Sequence, residues 1–383
     1  MPAPPPPAPH PADGPGDERP PGPLRRGWTT GACATAATAA AVEALWSGAF
    51  PDPVRIRLPR GQEPCFPLAT RSLTPGVAAS AGVVKDAGDD PDVTHGVLVV
   101  ATVRPGVAGS GVTFQAGEGV GTVTLPGLPV PPGEPAINPV PRQLMTAAVQ
   151  AAAARNGVPA DLEVEVAIPG GEDIARRTWN ARLGIVGGLS ILGTTGVVIP
   201  YSCSAWIHSI HRGVDLARAT GQRHVAGCTG TTSERTVQRL FALPDTAMLD
   251  MGDFAGGLLR YLRRHPVERL TIGGGFAKLT KLGAGALDLH SGRSQVDFGW
   301  LAARVAEGGG SPGLVALAGS AANTALQVLE AAAAEGVPVA DVVADAARRT
   351  ALDVLDGAPV AVDVVVVDRQ GTVVGTSPVA ATT

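Results

Sequence analysis

The chain has 383 residues, 45 % of them hydrophobic and 17 % charged, with a net charge of −4. That length buries a large core and suits two domains; the weak negative charge argues against a nucleic-acid partner. Apolar runs are broken by Gly, Pro or charge short of the ~20 residues a membrane span needs, so no membrane helix is expected. Aromatics make up 4 %, so the core is built from Ala, Val and Leu. Four widely spaced cysteines, Cys33, Cys65, Cys203 and Cys228, form no C-x-x-C pair. They read as free thiols of a cytoplasmic protein.

Residues 1–23 are proline-rich, without a periodic apolar face or signal-peptide core, and read as a disordered, partly polyproline-II tail. From 24 to 180 the pattern is α+β. Thr30 is placed to cap an Ala/Thr-rich helix over 32–46 that stops at Gly48. A helix this smooth packs closely against a sheet or a flat ligand. Strands are expected over 54–58, 77–85, 97–104 and 111–115, a helix that starts after Pro139-Val140-Pro141 and runs to about Arg155, and a half-exposed strand over 162–168.

From 181 to 383 short apolar strands alternate with helices. Strands over 224–226, 246–250 and 267–272 are each followed by a helix, over 232–242, 254–264 and 276–287. That rhythm predicts a parallel sheet with helical crossovers, an α/β three-layer domain. Helices are expected near 301–307, 321–335 and 340–355, and the run 361–367 with the Asp368-Arg-Gln-Gly371 turn reads as an edge hairpin.

Each of the three predicted strands runs into glycine: Gly227-Cys-Thr-Gly230, Asp250-Met-Gly-Asp253 and Gly273-Gly-Gly275. Ligands of open parallel sheets sit at the carboxyl ends of the strands. A small-molecule cofactor is therefore expected at Gly227, Thr229, Gly230, Thr231, Asp250, Gly252, Asp253, Gly273 and Gly274. Arginines suit carboxylates, and the stretch 169–196 holds Arg176, Arg177 and Arg182 among many glycines. His208 and His211 lie one turn apart with no third partner for zinc, and no protein-bound metal is expected. Lys85-Asp-Ala-Gly-Asp-Asp-Pro-Asp92 fits either a cation loop or an Asx turn. Gly117-Glu-Gly-Val-Gly-Thr122 is a loose phosphate-loop match lacking the lysine.

Taken in order, several segments resemble the cobalt-precorrin-5B C(1)-methyltransferases, the CbiD-type family. They are Arg26-Gly-Trp-Thr-Thr-Gly31, Val84-Lys-Asp-Ala-Gly-Asp-Asp-Pro-Asp-Val-Thr94, the stretch 117–124 and Gly133-Glu-Pro-Ala-Ile-Asn-Pro-Val-Pro-Arg142. Then come Pro169-Gly-Gly-Glu172, the stretch 184–196, Met251-Gly-Asp253, the stretch 276–281 and Leu289-His-Ser291. Ala277 stands where the family pattern has glycine. The resemblance implies an S-adenosylmethionine-dependent methylation of a tetrapyrrole at ring carbon C-1. The donor would lie in the α/β half, with Asp250 or Asp253 on its ribose hydroxyls or amino group. The substrate's acetate and propionate fringe would meet Arg25, Arg26, Thr29, Thr30, Arg142, Arg176, Arg177, Arg182, His211 and Lys278. Any cobalt would come with the substrate. No nucleophile–base constellation stands out; Asp250 and His290 are the only catalytic candidates. A phosphotransferase, a corrinoid isomerase and a corrinoid carrier are the rival readings, and a homo-oligomer is compatible with all of them.

Overall fold

The computed structural model describes residues 22–377; the expected tail lies almost wholly outside them. Chain contacts divide these residues into two units, 22–202 and 203–377.

In the first unit, helix α1 (Thr30–Ser47) is buried along nearly its whole length. Its alanines and threonines present no bulk, so it lies close against a five-stranded sheet and helix α2 (Pro139–Asn156). The N-cap is Thr29 rather than Thr30: the Thr29 hydroxyl accepts from Ala32 N at 3.2 Å, and Thr30 Oγ1 is engaged with the Leu192 backbone. Gly48 ends the helix at φ 80°, a left-handed turn glycine adopts without strain.

The sheet comprises β1 (Thr70–Thr74), β2 (Ala78–Val84), β3 (Leu98–Pro105), β4 (Val112–Ala116) and β5 (Leu162–Ala167), in spatial order β1-β2-β3-β5-β4. All neighbours are antiparallel except β4 and β5. Alternation puts Val99, Ala101 and Val103 inward with Val164 and Val166. The opposite face carries polar pairs, Ser80 with Thr102 at 2.7 Å and Arg104 with Glu165 at 3.0 Å. The expected strand over 54–58 is regular only at Val54–Arg55, although Ile56 N and Leu58 N still donate to Pro64 O and Gln62 O, and Val54, Ile56 and Leu58 point inward.

The stretch 181–202 belongs to this unit, which moves the expected boundary from 180/181 to 202/203. Ile185–Val186 pairs with Thr122–Val123, and Val197–Val198 with Gly27–Trp28, so backbone hydrogen bonds tie the segment to what precedes it.

The second unit begins with α3 (Cys203–Ala219). Its sheet comprises β6 (His224–Cys228), β7 (Met248–Leu249), β8 (Arg269–Gly275), β9 (Ala361–Val367) and β10 (Val373–Thr376), in spatial order β7-β6-β8-β9-β10. The first four are parallel and β10 is an antiparallel edge. The run expected as an edge hairpin is thus half interior: β9 is covered on both faces, as its unbroken valines require. One face lies under α4 (Thr231–Phe241), where Val237 meets Ala226 and Val365. The other lies under α5 (Ala255–Leu262), α6 (Phe276–Gly283), α7 (Phe298–Glu307), α8 (Ala325–Ala334) and α9 (Val339–Leu355). Helix α6 stops four residues before its expected end. The helix expected from residue 321 starts at Ala325 behind a Thr324–Gln327 capping box.

Candidate functional site

Strand order puts the first strand of the second unit, β6, between the second and third, so the chain leaves β6 toward one side and β8 toward the other. Loops after such neighbours diverge and leave a crevice at the carboxyl edge. Here the loops are Cys228–Thr231 and Gly275–Phe276, with the loop 250–254 beside them. Backbone hydrogen bonds join all three: Thr229 N donates to Gly273 O at 2.9 Å, and Gly252 N to Cys228 O at 3.0 Å. Leu289 N donates to Asp253 O at 2.8 Å, which brings the stretch 288–291 to the same place.

The expected cofactor residues separate into two kinds. Gly227, Gly273 and Gly274 are packing glycines: a Cβ at Gly273 would stand 2.6 Å from Val237, and one at Gly227 2.5 Å from Leu258. Gly230 and Gly275 face open space, at the N-termini of α4 and α6. Gly252 lies under the Trp206 ring, whose Nε1 donates to Asp250 O at 2.7 Å. Asp250 itself is buried.

Lys278, expected at the substrate rim, instead ties the loops together. Its Nζ donates to Thr229 O at 3.0 Å and lies 2.8 Å from Asp253 Oδ1. Buried Lys281 donates to Leu289 O at 2.9 Å, and desolvation lowers its pKa. His290 accepts at Nδ1 from Gly292 N, so its neutral ring carries the proton on Nε2. His211 stacks on Tyr261 at 3.9 Å between centroids; burial lowers its pKa and raises that of Tyr261 to about 12. Trp206 was not expected as a site residue. Only the glycine run marked this edge, because what Trp206 covers is set by the packing of α3.

The remaining candidates lie in the first unit. Arg25 pairs with Asp86, Arg142 with Glu134 at 3.2 Å, and Arg176 with Asp173 at 3.1 Å. Arg142 also donates to Ile137 O and Pro135 O. Arg182 is partly buried, whereas Arg26 and Arg177 are exposed and have no ion-pair partner among the described residues. Thr29 and Thr30 are buried at the start of α1.

The aspartate-rich loop satisfies itself with protein donors. Buried Lys85 meets Asp92 at 2.6 Å, and Asp90 accepts from Tyr201 N at 2.8 Å. Burial raises the Asp90 pKa; at Asp92 burial pushes upward, but Lys85 and Thr94 outweigh it and the net shift is downward. Among the described residues no three His, Cys, Asp or Glu side chains are grouped to hold a metal ion. The loop 117–122 enters no helix; Gly119 lies against Ile168, Gly171 and Gly188. It is a backbone crossing, not a phosphate cradle.

Fold and loop geometry together define a two-unit α/β protein whose second unit carries a glycine-rich switch point at the carboxyl edge of a parallel sheet. The family models described as CbiD and as CbiD, C-terminal domain match residues 17–200 and 288–378. A Paramagnetospirillum magneticum protein named cobalt-precorrin-5B C(1)-methyltransferase is 63 % identical over 92 % of this chain and 98 % of its own. A Brucella canis protein of the same name is 61 % identical over 91 % of this chain and 95 % of its own. A crystal structure of the cobalamin biosynthesis protein CbiD from Archaeoglobus fulgidus is 28 % identical, covering 70 % of this chain and 83 % of that one, with a TM-score of 0.39. The chain belongs to the CbiD family.

Proposed function

We propose that this protein methylates cobalt-precorrin-5B at ring carbon C-1, with S-adenosylmethionine as methyl donor, in cobalamin biosynthesis. The observation that carries the reading is the 63 % identity to a relative of that name over nearly the full length of both chains. The donor supplies an electrophilic methyl on a sulfonium. The switch-point crevice fits such a molecule: open backbone at Gly230 and Gly275, the flat Trp206 ring over Gly252, and oxygen acceptors at Thr229 and Asp253.

The task left to the protein is alignment. An electron-rich ring carbon needs no strong base, and holding two reactants in line can be worth ~7–11 kcal/mol of barrier. His290, for its part, accepts from Gly292 N within its own turn. On the acceptor side, exposed Arg26 and Arg177 are the guanidinium groups with donors to spare for the carboxylate fringe. No helix among the described residues is long and apolar enough to cross a membrane, and we place the reaction in the cytoplasm.

Calorimetric titration with S-adenosylhomocysteine, with ATP–magnesium as control, tests the reading. Binding of the homocysteine product alone supports it. Binding of ATP alone overturns it in favour of a phosphotransferase.

A further inference from the structure

Four oxygens and two ammonium groups meet at the crevice floor, and their arrangement says more than that a nucleoside fits. The Lys278 ammonium lies between the Thr229 carbonyl oxygen at 3.0 Å and Asp253 Oδ1 at 2.8 Å. The Asp253 side chain is 20 % exposed and the lysine side chain 39 %, while Asp253 Oδ1 itself is buried and accepts no well-aligned hydrogen bond among the described residues. A primary ammonium therefore already sits in a two-oxygen seat at the mouth of the switch point, on a flexible side chain with one end in solvent. Lys281 lies deeper, fixed to the Leu289 carbonyl, and cannot vacate its position without opening the 288–291 turn. The fourth oxygen, Asp250 O, is taken by the Trp206 indole. Only the Lys278 seat is both anionic in character and exchangeable.

We propose that Asp253 Oδ1 and the Thr229 carbonyl form the seat for the α-ammonium of the methyl donor's amino-acid end, with Lys278 turning out to that end's carboxylate. The inference rests on the methyl-donor reading of the crevice and assigns one part of the ligand within it. An ammonium replaces an ammonium, so the Asp253 charge stays compensated throughout; Lys281 adds positive field beside it. The freed Lys278 is one side-chain length from a carboxylate attached to the same carbon as the seated ammonium. The site thereby recognises an α-amino acid group as a pair of opposite charges. It selects against nucleosides that lack one, and against nucleotides, whose phosphates would meet Asp253.

The test compares two ligands that differ only in that end: S-adenosylhomocysteine, and methylthioadenosine, which keeps the nucleoside and thioether but has no amino acid. Each is titrated into the wild-type protein, Lys278→Met and Asp253→Asn. Losing a charged hydrogen bond costs about ten- to hundred-fold in affinity. The expected result is a loss of that size for S-adenosylhomocysteine in each variant, with methylthioadenosine affinity changed by less than about twofold. Parallel losses for both ligands would show Lys278 and Asp253 to be structural braces and overturn the assignment. Wild type alone supplies an independent check, useful if a variant fails to fold: it must prefer S-adenosylhomocysteine by at least about tenfold, and equal affinities refute the seat. Wild-type protein that binds neither ligand refutes the methyl-donor reading of the crevice itself, an outcome distinct from equal affinities.

Discussion

An added Cβ at Gly119 would stand 2.0 Å from the Ile168 carbonyl oxygen, and one at Gly188 2.3 Å from Gly119 itself. At Gly230 and Gly275 of the second unit it would meet nothing within 4 Å. The first unit uses glycine to let three backbone segments cross in contact; the second also uses it to leave a strand edge uncovered. The charged motifs divide the same way. Lys85 pairs with Asp92 and Arg25 with Asp86 where the chain folds back, whereas Lys278 and Asp253 pair at the open edge of a crevice. A glycine-rich or charge-rich motif is thus no evidence of a site until its surroundings are known.

Substitutions at these positions can break the contrast. The largest effect is expected at Gly119→Ala, where a backbone clash adds to a φ of 70°. It should cost more than about 4 kcal/mol and leave little folded protein. Gly230→Ala should stay within about 1 kcal/mol by thermal unfolding; similar losses at the two positions would erase the distinction.

Next comes Lys85→Met, which leaves Asp92 without its ammonium and should cost about 3 kcal/mol in denaturant titration. This pair also sets an acid limit. With the folded pKa of Asp92 below its unfolded value, its contribution is present above about pH 4 and lost as pH falls through the folded pKa. In Lys85→Met that part of the acid unfolding curve should flatten.

Thr29→Ala removes the cap of α1 and should cost about 1 kcal/mol of stability. If Thr29 instead served only the substrate, stability would be unchanged and the tetrapyrrole KM would rise.

The smallest effect sharpens the comparison from the other side, since His211 is a packed group in the second unit. Burial disfavours its charged form, so the folded protein binds fewer protons than the unfolded one below about pH 6.5. Stability should decline as pH falls below that value, and His211→Gln should reduce the slope. A proton-resonance titration giving a His211 pKa at or above 6.5 would contradict this.

Local pattern determined much of this protein by itself. The period-two alternation of 162–167, the smooth Ala/Thr helix and the strand–glycine–helix rhythm after residue 220 depend on short-range sterics and on which face is apolar. Those elements, and the carboxyl-edge location of the glycine loops, were legible before any coordinates. Pairing partners were not. The unbroken valines of 361–367 suit an edge hairpin or a buried strand equally, and only the register with Arg269–Gly275 puts them inside the sheet. The stretch 181–202 looked like the opening of a second domain because its strands are two residues long, and their ladders join it to residues over 60 positions away. For the site, residue type announced that cations and glycines mattered, but not which would be spent. Arg25 is neutralised by Asp86, far along the chain, and Lys278 reaches Thr229 across a sheet edge. Long-range ion pairs and backbone crossings arise when distant segments are brought together, so tertiary structure alone decided which charges and loops stayed open for a ligand.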